Sequence, residues 1–223
     1  MRARGFSVRL LYINPNATGS MTDQVVAVAR RAALPGTEVL GWTNTQGPAA
    51  IQGPADGDAA VAGVLALLPA AREAAADVIV IACFDDTGLD LVRAAAHCPV
   101  IGIGQAAFHM AALMGHRFSV VTTLAVSVPV IDANIAAYGF GPLCARVRPS
   151  GLPVLAVDEA SPATLERLAD EIALSAAQDG VTAVVLGCAG MAPLLQRLQP
   201  GTTLHLIDGV AASARLAQAH ITQ

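Results

Sequence analysis

The stretch Asp77–Asp86, DVIVIACFDD, decides the fold, because it returns near the other end of the chain as Thr182–Gly190, TAVVLGCAG. In each, a short apolar run with no polar alternation stops at a cysteine, Cys83 in the first and Cys188 in the second. A run of that kind bounded by turn residues reads as a strand buried on both faces, the kind found in parallel sheets. Two such strands ending alike set up a facing pair of thiols.

Working outward, apolar runs alternate with helix-period stretches along the whole chain, the pattern of parallel strands joined by crossover helices. A first strand is predicted over 8–13, ending in the turn-rich Asn14-Pro15-Asn16-Ala17-Thr18-Gly19, with a helix to Arg31. A second strand over 37–42 leads into the polar segment 43–58, long enough to be a lid or a contact between copies. A helix over 59–75 then reaches Cys83, and Asp85, Asp86 and Thr87 offer caps for the next helix, with Asp90 placed for a capping box. A strand over 99–103 and an apolar helix over 105–114 follow, and the pattern restarts at Phe118. In the second round the outer strand is either 145–149 or 154–157, and Ser161-Pro162 opens a helix to Gln178. The strand reaching Cys188 is followed by a helix over 192–198, a strand over 203–207 and a last helix after Gly209.

Cys83 and Cys188 are 105 positions apart, Gly104 and Gly209 are also 105 apart, and Asn14 and Thr122, each just past a first strand, are 108 apart. The near-constant offset predicts an internal duplication: an α/β protein of two pseudo-symmetric four-stranded parallel-sheet, flavodoxin-like domains whose strand ends would face each other. The boundaries fall near the two glycines, giving residues 1–103 plus 209–223 and residues 104–208. Either glycine-led helix could cross to pack on the other half.

Composition narrows the function. Hydrophobic residues are 54% of the 223, but Ala inflates the figure and no run approaches the roughly 18 apolar residues of a membrane span. The basic start leads into a turn without a cleavage site, so a cytoplasmic protein is expected. A net charge of −4 and the lack of any basic–aromatic cluster argue against nucleic acid and membrane and for a small-molecule substrate. The chain contains no Lys. A pyridoxal phosphate Schiff base and a P-loop are therefore excluded. Cys83, Cys98, Cys144 and Cys188 show no CxxC spacing, so free thiols are expected rather than a disulfide framework or a metal site. The histidines have no metal spacing and share no motif with a cysteine, which weakens a Cys-His hydrolase reading. His116, after a helix-ending glycine, is expected to meet the helix C-terminus.

Two thiols across a cleft suit one reaction in particular. One removes a proton from a carbon beside a carbonyl while the other delivers a proton to the opposite face. A reference pKa of about 8.5 lets modest tuning hold one as thiolate, and a following helix start would favour that form. A ligand-binding module or a reversible thiol redox pair remains the non-enzyme alternative.

The segments Ile13–Thr22 (INPNATGSMT), Ile81–Gly88 (IACFDDTG), Gly115–Thr123 (GHRFSVVTT) and Gly187–Met191 (GCAGM) resemble the aspartate/glutamate racemase superfamily, most closely its hydantoin and allantoin racemase branch. The resemblance covers essentially the whole chain. It implies a cofactor-independent two-base racemase with the active site between its two domains and Cys83 and Cys188 as catalytic cysteines. It also implies a substrate pocket lined by Asn14, Thr122 and Thr123, with the backbone of Ala189 and Gly190 holding substrate carbonyls. Asp85 is a further candidate for substrate contact or for tuning Cys83; Phe84 reads first as core and second as a pocket wall. Cys98 and Cys144, unmatched in the repeat, read as structural. No basic residue lies in the loops carrying Asn14, Cys83, Thr122 or Cys188, which favours a neutral ring such as a hydantoin over a free amino acid. Amino acid racemase, maleate isomerase and decarboxylase are the alternatives within the superfamily. No metal or cofactor is expected, and self-association into a homo-oligomer is.

Overall fold

A computed structural model describes residues 8–221, so the basic start of the chain lies outside the described residues. The two echoing stretches become inner strands of two separate sheets. The first half runs β1 (Arg9–Asn14), α1 (Gly19–Ala32), β2 (Glu38–Thr43), α2 (Pro54–Ala66), α3 (Leu68–Glu73), β3 (Val78–Ile81), α4 (Leu89–Ala95), β4 (Val100–Gly102) and α5 (Ile103–Leu113). The second runs β5 (Phe118–Thr122), α6 (Val128–Ala137), β6 (Cys144–Pro149), α7 (Val154–Glu159), α8 (Pro162–Gln178), β7 (Ala183–Gly187), α9 (Leu195–Leu198), β8 (His205–Asp208) and α10 (Gly209–Ile221). Strand order is β2-β1-β3-β4 in one sheet and β6-β5-β7-β8 in the other, and every pairing is parallel. The duplication predicted from the spacing is therefore real at the level of topology. Inner strands β3 and β7 are buried along their whole length because helices cover both faces, which is why they carry no polar alternation.

Local chemistry sets the helix limits. Ser161 Oγ accepts from the Thr164 amide at 3.2 Å, and Pro162 follows at the first helical position, so α8 starts where expected. The helix expected over 59–75 instead begins at Pro54 and breaks after Ala66, because Pro69 has no amide to continue the ladder. The polar connection is correspondingly shorter than 43–58. Of the two candidates for the outer strand, 144–149 is the strand, and Val154–Glu159 is a helix. After Cys188 comes a six-residue 3₁₀ turn, Ala189–Leu194, with Pro193 inside it, where an α-helix from 192 was expected.

The last helix of each half crosses to the other. Ala107, Phe108 and Ala111 of α5 pack into the core of the second sheet, with Phe108 stacked on Phe118 at 5.7 Å. Val210, Ala214 and Ala217 of α10 pack on the first sheet, where Ser213 Oγ and Tyr12 OH lie 2.9 Å apart. The crossing explains one of the matched glycines: a Cβ on Gly209 would come within 2.3 Å of the Ile103 carbonyl. Any side chain there would push the two helix starts apart.

Candidate active site

Cys83 and Cys188 both lie just past the C-terminal ends of inner strands, where open α/β sheets present their ligand sites. Both are free thiols. They line one cavity between the halves, together with Asn16, Met21, Ile51, Ala82, Phe84 and Asp85 from the first and Thr123, Ser127, Val154, Gly187 and Ala189 from the second. Its volume is about 20 Å³. That is room for one water, far below the several hundred Å³ of a typical ligand pocket. Ile51 and Val154 line it from opposite halves, and Gln52 Oε1 accepts the Val154 amide at 3.0 Å, tying a loop of one half to α7 of the other. Larger clefts lie elsewhere. One of about 530 Å³ opens around α1, α5 and α10 and reaches neither cysteine.

Of the residues singled out in the sequence, Cys83, Cys188, Phe84, Asp85, Thr123 and Ala189 meet at this cavity. Asn14 does not. It is buried behind the wall, donating to Asn16 Oδ1 at 2.9 Å and Thr22 Oγ1 at 3.0 Å, and so fixes the loop that carries Asn16 to the surface of the cavity. Thr122 is likewise a support, its hydroxyl donating to the Gly187 carbonyl at 2.9 Å. Gly190 contributes its amide to Cys188 rather than a cavity wall. Phe84 serves in both ways proposed: its ring sits edge-on to Phe108 at 5.6 Å while the residue borders the cavity. Asn16, Met21, Ile51, Ser127 and Val154 were not singled out. Asn16 had a local signal, as the second asparagine of a strand-end loop, but the others reach the cavity from separate elements.

The acidic pair does not cap α4. That helix starts after Gly88, and no side chain caps it, so the expected box from Thr87 to Asp90 does not form. Asp86 caps α5 instead, accepting the Gly104 amide at 2.9 Å, the Gln105 amide at 2.8 Å and the Tyr138 hydroxyl at 3.1 Å. Its backbone is left-handed, φ 50°, a conformation rare outside glycine and held here by those three bonds. The carboxyl of Asp85 accepts no hydrogen bond and joins no ion pair among the described residues. Burial pushes it up to about 7.

Burial also pushes the Cys83 thiol well up, and the charge of Asp85 adds to this; the Thr87 hydroxyl and the Asp85 amide act the other way, and the Cys188 thiol adds a smaller increase. Cys188 is pushed up to about 12, again chiefly by burial, with the Gly190 and Met191 amides opposing it. The expectation that a helix start lowers these values is thus corrected. The helix after Cys83 begins only at Leu89, and desolvation outweighs the amides that do point at sulfur.

No Arg or His lines the cavity. Arg93 is held by the Val100 carbonyl, and Arg117 by the carbonyls of Asp179 and Gly180. His116 meets the end of α5 as expected, its amide donating to the Ala111 carbonyl at 2.9 Å, while its ring bonds Thr182 and stacks on His205. Among the described residues no His, Cys, Asp and Glu cluster could hold a metal ion, and no helix is long and apolar enough to cross a membrane.

Two like α/β halves with a small cavity between their strand ends form the two-domain racemase architecture. Glutamate racemase from Francisella tularensis superposes with a TM-score of 0.71 at 16% identity, over 97% of this chain and 81% of that one. The chain belongs to the Asp/Glu/Hydantoin racemase family, whose profile matches residues 10–217, and it is accordingly an isomerase. It is similar to a hydantoin racemase of Rhizobium meliloti, 46% identical over 93% of this chain and 86% of the relative. The allantoin racemase of Klebsiella pneumoniae has a TM-score of 0.92 and 40% identity, covering 97% of this chain and 88% of that one.

Proposed function

We propose that this enzyme inverts C5 of a 5-monosubstituted hydantoin or a related cyclic ureide such as allantoin, by proton transfer between Cys83 and Cys188 and without a cofactor. One observation carries the reading: two free thiols at matched strand ends line the same cavity from opposite halves. One sulfur, as thiolate, takes the C5 proton and becomes a thiol. The electron pair moves into the adjacent carbonyl as an enolate, and the opposite thiol gives its proton to the other face of C5, becoming the thiolate. For the mirror-image substrate the roles exchange. The amides after the cysteines are the donors available to the enolate oxygen, Asp85 is placed to accept a ring N–H, and Thr123, Phe84, Asn16 and Ala189 form the rest of the wall.

A free amino acid is the weaker fit, since its carboxylate would find no cation among the lining residues. The named activities of the similar proteins point the same way. Because the cavity is smaller than any such ring, substrate entry requires the loop 44–53 and α7 to part, so the Gln52–Val154 contact acts as the clasp of a lid. The cleft in this reading lies between residues 1–103 with 209–223 and residues 104–208, a division supported by the crossed packing of α5 and α10.

The test is racemisation of single enantiomers of a 5-substituted hydantoin and of allantoin in deuterated water. The wild-type protein should racemise one or both with deuterium entering C5, and Cys83→Ala and Cys188→Ala should each lose racemisation. Full activity in either variant would sink the two-cysteine mechanism.

A further inference from the structure

Asp85 lines two spaces at once. One is the cavity between the thiols; the other is a cleft of about 360 Å³ between α2, α4 and α6. Two further elements run from the first space to the second. Loop 44–53 gives Ile51 to the cavity and Gly53 to the cleft, and Ser127, just before α6, lines the cavity while Val130, Asn134 and Tyr138 follow it into the cleft at the spacing of one helix face. A hydantoin ring held at the thiols needs room for its C5 substituent, which the cavity lacks. The adjoining cleft has the size of an ordinary ligand pocket.

The cleft is rich in acceptors and has no cation. Asp58, Asp85 and Asp90 line it, and neither Arg nor His does. Asp58 makes no hydrogen bond and no ion pair among the described residues. Asp90 has one ion pair, to Arg93 at 3.5 Å, and that guanidinium is otherwise engaged by the Val100 carbonyl and Gln105. Asn134 spends its side-chain N–H on the Asp85 carbonyl at 2.9 Å, leaving its Oδ1 without a donor. Thr87, 6% exposed, lines the cleft as well, and its buried hydroxyl has no partner among the described residues, although such groups are normally paired. Only Asp86 is satisfied, clamped by the Gly104 and Gln105 amides and the Tyr138 hydroxyl, so it holds the wall in place. Between these acceptors lie Val61, Leu89, Leu91 and Val130. An apolar floor with carboxylates along it complements a methylene stem ending in a cation.

We propose that this cleft is the subsite for the C5 substituent and that it selects a cationic one, an aminoalkyl or guanidinoalkyl group whose stem lies along Val61, Leu89 and Val130 and whose head meets Asp58 and Asp90. Asp85 stands between ring and substituent. The assignment rests on the hydantoin reading of the site for its substrate, but binding tests it without turnover.

Hydantoins carrying an aminobutyl, a pentyl or a carboxyethyl group at C5 are alike in size and differ in charge. Calorimetric binding to the full chain at neutral pH and kcat/KM for racemisation are read on each. The aminobutyl compound should bind about tenfold more tightly than the pentyl compound and be racemised with a kcat/KM about tenfold higher, the scale of one good interaction with a charged group. The carboxyethyl compound should be the poorest of the set. Asp58→Asn and Asp90→Asn should each cut the aminobutyl-to-pentyl binding ratio about threefold. Asp170→Asn, on the exposed side of α8, should leave that ratio in place, which separates the cleft from the net charge. Equal binding of all the compounds, a preference for pentyl or carboxyethyl, no binding at all, or a ratio lowered as much by the Asp170 change as by the Asp58 change would overturn the assignment. A binding preference without racemisation would strike the two-cysteine mechanism and leave the subsite standing, and racemisation without a preference would do the reverse.

Discussion

The loops after Cys83 and Cys188 occupy equivalent positions in the two halves and solve the same problem with different parts. After Cys83 the chain spends five residues, Phe84 to Gly88, before a helix begins; the Asp85 amide and its unpaired carboxyl act on the sulfur, while the Asp86 carboxylate is taken up by the start of α5. After Cys188 it turns at once into 3₁₀ geometry, and two backbone amides reach the sulfur with no side-chain donor. Topology was duplicated, while the electrostatic surroundings diverged. A pseudo-symmetric pair is therefore chemically asymmetric, a difference that the proposed transfer between two bases on opposite faces of one carbon would use.

The largest effect expected from breaking one side at a time is on proton transfer. Cys83→Ser and Cys188→Ser should each reduce racemisation roughly 10³-fold, the scale of losing a positioned acid or base. In deuterated water each should still exchange the C5 hydrogen of one enantiomer with retention, and the two variants should favour opposite enantiomers. Exchange of the same enantiomer by both would show that the thiols do not sit on opposite faces.

Next in size is a contrast in stability. Gly102→Ala would drive its Cβ into Asp86 Oδ1 at 1.9 Å, whereas at Gly190 the nearest atom is Val157 Cγ1 at 3.4 Å. Urea denaturation should show a loss of about 2 kcal/mol or more for the first and less than about 1 kcal/mol for the second. Equal losses would mean that the Asp86 clamp is not the rigid part of the site.

The smallest effect concerns the lone carboxyl. Asp85 rises from its ordinary 3.8 to about 7 because burial disfavours its charge. The folded chain then holds the proton more tightly than the unfolded one, so stability declines as pH rises from about 4 through about 7 and stays reduced above. Asp85→Asn removes that penalty. It should melt about 2–5 °C higher than wild type at pH 8 and show no such gain at pH 4, a difference thermal unfolding at the two values would read.

Several features were legible because they repeat or follow local rules. The offset of 105 between cysteines and between glycines reported the duplication, and Ser161-Pro162 reported the start of α8. Other features had local signals that pointed the wrong way. Asp85, Asp86 and Thr87 look like caps for the helix that follows them, but Asp86 finds a stronger partner in the start of α5, whose position depends on β4 lying beside β3. Asn14 resembles a pocket residue from its place past a strand; its amide is consumed in bracing Asn16, a choice made by hydrogen-bond geometry within the loop. Of the apolar wall, Ile51 lies in the polar segment that reads as a lid, but Met21 and Val154 gave no signal, because each looks like ordinary core in its own segment.

The sequence by itself determined the two-fold α/β plan, the pair of strand-end cysteines, the absence of lysine chemistry and the membership of a racemase family, since these follow from periodicity, composition and short motifs. Only the tertiary structure decided that the last helix of each half packs on the other, that Ile51 and Val154 meet at the cavity between the thiols, and that the groups around one sulfur differ from those around the other. Those outcomes depend on which residues far apart in the chain are brought within hydrogen-bonding distance, and DVIVIACFDD carries no information about Gly104, Tyr138 or Val154 until the halves are packed together.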